Sequence, residues 1–139
     1  MNYAVIENKE MTKDYFYDEL YSFIKENLQR FRPISSYSPL PERKNLEVDV
    51  CFDVTPKKLF LFGVENNEKA ILVSNILLGL LQNYIPFRSI TVYRDFNEIP
   101  SVERNTLINV GDKQFTNLSE FEKRIVCYLR RETKYAIYE

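Results

Sequence analysis

Hydrophobic and polar residues alternate between residues 46 and 54, where every second side chain is apolar. Successive side chains of a β-strand point to opposite faces, so this pattern predicts a strand with one buried face and one open, acidic face. The next apolar run, residues 59–64, is hydrophobic on both faces, which is typical of a central strand. Pro56 suits the turn between the two runs. The two strands are therefore predicted to form an antiparallel hairpin.

The period then changes, because apolar residues recur every three or four positions between residues 70 and 84. This spacing predicts an amphipathic helix, and Asn66 or Asn67 can cap its start. Additional apolar residues such as Ile71 and Leu78 make the helix hydrophobic around most of its circumference. We expect it to be largely buried or to meet a partner.

Two further helices are predicted near the ends of the chain. Helical spacing begins after Thr12, a good cap residue, and ends before Pro33. Near the other end, Ser119 and Glu122 have the three-residue separation of a capping box, which predicts the start of a last helix.

Strands are predicted in three other places. Residues 87–93 and 106–110 are rich in β-branched residues, and residues 34–40 can hold a short edge strand. The strand at 87–93 follows a helical crossover, so it should run parallel to an earlier strand. Residues 112–115 are interpreted as a turn.

The resulting order is helix, edge strand, strand, strand, helix, strand, strand, helix. It predicts an α/β fold, a single domain over residues 1–139 with a central mixed β-sheet and flanking helices. The chain of 139 residues is long enough to bury one hydrophobic core. No apolar run approaches the roughly 20 residues that span a bilayer, so no membrane span is expected.

Composition excludes several kinds of site. The chain has no histidine, so a Ser-His-Asp triad, a Cys-His dyad and a His-containing zinc site are all impossible. Three scattered glycines form no Gly-rich phosphate loop. The N-terminus shows no secretory signal, and Cys51 and Cys127 are predicted to be reduced thiols of a cytoplasmic protein.

Acidic residues cluster around the predicted hairpin, together with one lysine of the following helix: Glu47, Asp49, Asp53, Glu65 and Lys69. Whether these acids meet depends on the hairpin register. A two-residue turn places Val48 opposite Glu65, and a three-residue loop places Asp49 opposite Glu65. Only the second register makes a metal site, and the alternative is that the acids are a solvated strand face.

The element order resembles that of the restriction-endonuclease-like proteins, the PD-(D/E)XK nuclease superfamily. The resemblance implies a strand Asp and a Glu or Asp that hold Mg²⁺, with a Lys that orients water. Asp49 or Asp53 matches the strand Asp and Glu65 matches the second acid. The family's Lys position is Asn67 here, so the motif is degenerate, and Lys69 is a substitute from the helix.

Residues 58–115 are also similar to an uncharacterised bacterial and prophage domain family. The similarity lies in a strand that ends in Phe-Gly-Val, the crossover helix, and the segments PFRS (residues 86–89) and DKQF (residues 112–115). It implies no known activity, and it suggests a role in phage–host or mobile-element biology.

Four basic residues at the end of the chain could bind nucleic-acid phosphate or an acidic protein: Lys123, Arg130, Arg131 and Lys134. Because glutamates are interspersed among them and the net charge is −1, a solvated helix face is the simpler interpretation.

These observations predict a non-catalytic interaction protein without a cofactor, which binds a protein or nucleic-acid partner. The alternative is a Mg²⁺-dependent nuclease that uses Asp49, Asp53, Glu65 and Lys69. The apolar central helix also allows a homodimer.

Overall fold

The computed structural model describes residues 2–54 and 57–138, and the side chains of residues 15–54 and 57–133. Three 3₁₀ turns separate some of the main elements, at Gln29–Phe31, Lys44–Leu46 and Phe96–Glu98. The main elements are, in chain order, α1 (Asn2–Asn27), β1 (Pro33–Tyr37), β2 (Val48–Phe52), β3 (Lys58–Val64), α2 (Asn67–Gln82), β4 (Phe87–Tyr93), α3 (Ser101–Val110), β5 (Lys113–Phe115) and α4 (Leu118–Tyr138).

The five strands form one mixed sheet in the order β1-β2-β3-β4-β5. β2 pairs antiparallel with both β1 and β3, while β3, β4 and β5 run parallel. The predicted α/β fold, the antiparallel hairpin and the parallel strand after the crossover helix are confirmed. The predicted edge strand is also present, as β1.

Two hydrophobic clusters cover the two faces of the sheet. α1 and α4 pack on one face, and α2 and α3 pack on the other. β3 contributes Leu59 and Leu61 to the first cluster and Phe60, Phe62 and Val64 to the second. Each fully buried side chain of this kind stabilises the fold by about 1.5–3 kcal/mol. The uniformly apolar sequence of β3 is thus explained by its central position.

The prediction that β2 has an open acidic face is wrong. Cys51, which alternation placed on that face, is fully buried among the side chains under α2. Val48 also packs there, whereas Val50 packs under α1 and α4, although these valines are two residues apart. The regular alternation of faces is therefore interrupted at Asp49, the residue between them.

Two predictions of secondary structure are wrong between residues 101 and 115. The segment predicted as a strand at 106–110 is the end of α3, where Thr106 donates its hydroxyl hydrogen to the carbonyl of Val102. Pro100 precedes this helix, a position at which proline costs no helical hydrogen bond. The strand is instead β5, interpreted from sequence as part of a turn, and it buries Phe115 beside β4.

The starts of two helices also differ from the predictions. The backbone of α1 is helical from Asn2, well before Thr12, whose side chain lies outside the described residues. α4 is capped by Asn117, whose side-chain oxygen accepts the N–H of Glu120 at 2.8 Å. Glu120 in turn accepts the hydroxyl hydrogen of Thr116 at 3.0 Å. The cap is thus two residues upstream of the predicted Ser119, because an amide in that position satisfies a free N–H equally well.

Candidate functional site

Asp49 lies where the pairing between β2 and β3 ends. The last paired residues of the two strands are Val50 and Leu61, and counting on by one residue places Asp49 opposite Phe62. Both predicted registers, which placed Val48 or Asp49 opposite Glu65, are therefore wrong. The backbone N–H of Gly63 donates to Asp49 Oδ2 at 2.9 Å. The Asp49 carboxylate thus accepts a hydrogen bond from a backbone N–H of β3 that lies beyond the last residues paired with β2, and this bond fixes the position of the carboxylate.

Lys69, in the first turn of α2, reaches the same carboxylate. Asn66 caps α2 by accepting the N–H of Lys69 at 2.9 Å, which confirms one of the two predicted caps. The Lys69 ammonium lies 3.1 Å from Asp49 Oδ1 and 3.0 Å from Oδ2. Only 20% of the Lys69 side chain and 18% of the Asp49 side chain are exposed. Both carboxylate oxygens are therefore engaged in a largely buried ion pair.

Two tyrosines of α1 complete the surroundings of this pair. The Tyr17 hydroxyl donates to the carbonyl of Gly63 at 3.2 Å, and the Lys69 ammonium lies 5.3 Å from the centre of the Tyr17 ring. Burial raises the pKa of Tyr17 far above its ordinary value, with smaller contributions from the charges of Glu65 and Asp49. Burial, followed by the charges of Asp49 and Glu47, raises the pKa of Tyr21 to about 12. Both phenols are therefore neutral at physiological pH.

The predicted catalytic residues are only partly brought together. Asp49 and Lys69 are in contact. Glu65 lies near Tyr17, and the charge of Glu65 raises the pKa of Tyr17. Asp53 is elsewhere: it forms an ion pair with Lys58 at 3.2 Å, and both side chains are more than a third exposed. The sequence did not connect Tyr17 with Asp49, because no periodicity links α1 to β2.

The donors do not fit a divalent metal in this arrangement. Among the described residues, no group of three or more His, Cys, Asp or Glu side chains is placed to hold a metal ion. Mg²⁺ can be held by one or two carboxylates, but both oxygens of Asp49 are already bonded to Lys69. The metal-binding role of Asp49, Asp53 and Glu65 stays a prediction that requires Lys69 to move away.

A second candidate site lies on α4. Its exposed charged side chains, within the part whose side chains are described, are all basic: Lys123, Arg124, Arg130 and Arg131. We call these four residues the basic face. No ion pair links any of them to another described residue. Arg124 was not among the predicted residues, and the predicted Lys134 lies outside the described side chains.

Two of the three glutamates of α4, Glu122 and Glu132, lie on other sides of the helix than the basic face, whereas Glu120 lies three and four residues before Lys123 and Arg124 and shares their side. Glu120 bonds to Thr116, and Glu132 pairs with Arg88 at 3.3 Å. The pKa of Glu122 is raised by partial burial and by the charge of Glu19 on α1. Of the interspersed acids that favoured a solvated helix in the sequence, only Glu120 therefore lies beside the basic residues, and its carboxylate is bonded to Thr116.

Comparisons with protein-family models, with curated proteins and with solved structures found no match for this chain. Within the described residues, no helix combines the length and the apolar character that crossing a bilayer requires. The function is accordingly argued from the chain's own side chains.

Proposed function

We propose that this protein is a non-catalytic binding protein that holds nucleic acid by its phosphate backbone along the basic face of α4. The observation that carries the proposal is the excess of positive charge on the exposed side of this helix. Four exposed cations lie on one side, Glu122 and Glu132 lie near α1 and Arg88, and Glu120, which shares the side of the cations, is bonded to Thr116.

The spacing of the four cations suits a regularly charged strand. Lys123 and Arg130 are seven residues apart, and so are Arg124 and Arg131. Seven residues are about two helical turns and about 10.5 Å, so the cations form two short parallel rows. Phosphates of one strand recur about every 3.4 Å along the duplex axis, so each row spans the length of about three phosphates. Three of the four cations are arginines, whose planar guanidinium groups bind phosphate oxygens in pairs.

The non-catalytic part of the proposal is supported by the Asp49–Lys69 pair. A nuclease of the kind suggested by the sequence resemblance needs a carboxylate that is open to a metal ion. The Asp49 carboxylate instead holds Lys69 and the N–H of Gly63. The histidine-free sequence also provides no imidazole base. The setting that the resemblance suggests, phage–host or mobile-element biology in bacteria, belongs to the same proposal.

The test is fluorescence anisotropy with a labelled DNA duplex, a labelled RNA duplex and a fluorescent polyglutamate peptide. Contacts with about three phosphates should weaken duplex binding about 40-fold between 50 and 200 mM salt. The double variant Arg130→Gln/Arg131→Gln should weaken binding to all duplex sequences alike and reduce the salt dependence by about two phosphate contacts.

The matched control is Arg43→Gln/Lys44→Gln, which removes two adjacent exposed cations far along the chain from α4. It makes the same change in net charge, and it should leave binding unchanged. The proposal fails if the wild-type protein binds neither duplex at low salt, if both double variants weaken binding equally, or if only polyglutamate binds. The last result would indicate an acidic protein partner.

The Mg²⁺-dependent nuclease is the alternative, and one contact favours it: Lys69 lies beside Asp49, as the substitute lysine of the degenerate motif would. Calorimetric titration of Mg²⁺ into the wild type and into Glu65→Ala separates the two functions. We expect no Mg²⁺ binding by either protein. Binding at one site that disappears in Glu65→Ala would favour the nuclease.

A further inference from the structure

The solvent side of α2 and α3 has an unusual composition. Several large apolar side chains are exposed there: Ile71 (44%), Leu72 (49%), Leu78 (41%), Leu81 (49%), Tyr84 (92%), Val102 (72%) and Ile108 (46%). α2 and α3 pack side by side on one face of the sheet, and these residues lie on the side away from it. We call them the α2–α3 surface. Exposed apolar residues in such a group indicate an interaction site rather than chance exposure.

The polar residues of the same surface carry almost no charge. Glu68 is the only charged residue among the exposed side chains of α2 and α3, and Glu103 and Arg104 of α3 are half-buried. The others that are polar are mainly amides, namely Asn75, Gln82, Asn105 and Asn109. From residue 70 to residue 87 the chain contains no Asp, Glu, Lys or Arg.

From this composition we propose that the α2–α3 surface binds a second copy of the same chain through a two-fold contact. In such a contact the two copies present the same surface to each other, so charges of a single sign on that surface meet like charges. A surface whose only exposed charge is Glu68 keeps this repulsion small. Amide side chains carry both a donor and an acceptor, so they can also pair with their own copies.

Other occupants fit the composition less well. A strongly charged partner would find no opposite charge on this surface to pair with. A lipid surface is usually bound by helices with Lys or Arg beside the apolar residues. The two helices have only Lys69, which is held by Asp49, and the half-buried Arg104, which lies over the Phe96 ring. A second copy of the chain presents a surface of the same apolar and nearly uncharged character.

The size of the surface sets the expected strength of the contact. A 16-residue helix is about 24 Å long, and two neighbouring helices form a layer about 20 Å wide. The contact would then bury about 500 Å² per copy, less than the roughly 800 Å² of a standard interface. We therefore expect a reversible dimer that forms only as concentration rises.

The test is analytical ultracentrifugation of the whole chain, without nucleic acid, over a hundredfold range of concentration. The average mass should rise from 16.6 kDa toward twice that value. Leu78→Glu should hold the mass at that of one chain at every concentration, because it brings a carboxylate of each copy into an apolar contact. Circular dichroism should show that this variant, whose changed side chain is exposed, keeps the wild-type fold.

Ile34→Glu is the matched control, since Ile34 on β1 has the same exposed fraction as Leu78, 41%, and receives the same charge. It should dimerise like the wild type. The proposal is overturned if the wild type sediments as a single chain at the highest concentration, in which case the surface belongs to another partner. It is equally overturned if Ile34→Glu abolishes the dimer or if Leu78→Glu leaves it unchanged.

Discussion

At the scale of residues, the Asp49–Lys69 ion pair is the most consequential contact of the candidate site. It joins β2 to the first turn of α2, and Asp49 also binds the N–H of Gly63. A charge removed from water is stable only when its partners remain, so the loss of one partner costs more than the pair itself contributes. Lys69 thus has a structural role whether or not the site binds anything.

Lys69→Met should lower the free energy of unfolding by about 1–3 kcal/mol, because it leaves the largely buried Asp49 carboxylate without its cation. Lys58→Met makes the same change at the Asp53 pair, which is more than a third exposed, and should cost less than about 1 kcal/mol. Urea unfolding of both variants measures the difference. Equal losses in the free energy of unfolding would mean that the Asp49–Lys69 pair stabilises the fold no more than the exposed Asp53–Lys58 pair.

At the scale of elements, Gly63 on β3 allows α1 to lie against the sheet beside the candidate site. A methyl group on Gly63 would lie 2.9 Å from Leu20, 3.1 Å from Tyr17 and 3.3 Å from Phe16, all on α1. The same residue donates to Asp49 and accepts from Tyr17 through its backbone. The position of α1 and the site therefore depend on the same close approach.

Gly63→Ala should consequently lower the free energy of unfolding by about 1–3 kcal/mol, since three packed side chains of α1 must shift. Gly79→Ala is the comparison. The new methyl group of Gly79→Ala would meet only the flexible end of Leu46. The substitution also removes a glycine, which costs a helix about 1 kcal/mol. Thermal unfolding should show the larger loss for Gly63→Ala, and the reverse order would contradict this account of α1 packing.

At the scale of the whole molecule, buried tyrosines and a buried cysteine make the free energy of unfolding decrease at high pH. Burial raises the pKa of Cys51 to about 11 and that of Tyr128 to about 12, and it raises those of Tyr17 and Tyr93 further. These groups lose their protons at lower pH in the unfolded chain than in the folded one. The unfolded state therefore binds fewer protons above about pH 9, and stability falls as pH rises.

Stability should be nearly constant between about pH 6 and pH 8, because no histidine titrates there, and it should fall from about pH 9 upward. Urea unfolding at a series of pH values measures this profile. Tyr21→Phe should reduce the alkaline loss, because the pKa of Tyr21 is raised to about 12. A stability that stays constant to about pH 11 would show that the phenols ionise in the folded protein without cost.

Periodicity predicted the elements that follow their local pattern. The strands β3 and β4 and the helix α2 with its Asn66 cap were recognised, because each buries the residues that its own sequence makes apolar. β2 was recognised as a strand, but the faces of its residues were not. Residues 106–110 were assigned wrongly, since a short β-branched run has no clear period and Leu107 is buried equally well in a helix.

By itself the sequence determined the α/β class, the hairpin and crossover, and the absence of imidazole chemistry, since these follow from local pattern and composition. Only the tertiary structure decided which charges meet. Asp49 binds Lys69 twenty residues away, and the glutamates of α4 turn to Thr116, α1 and Arg88, so Lys123 and the three arginines of the basic face remain exposed. Such pairings depend on strand register and on helix rotation, which are settled by packing between distant segments rather than by neighbouring residues.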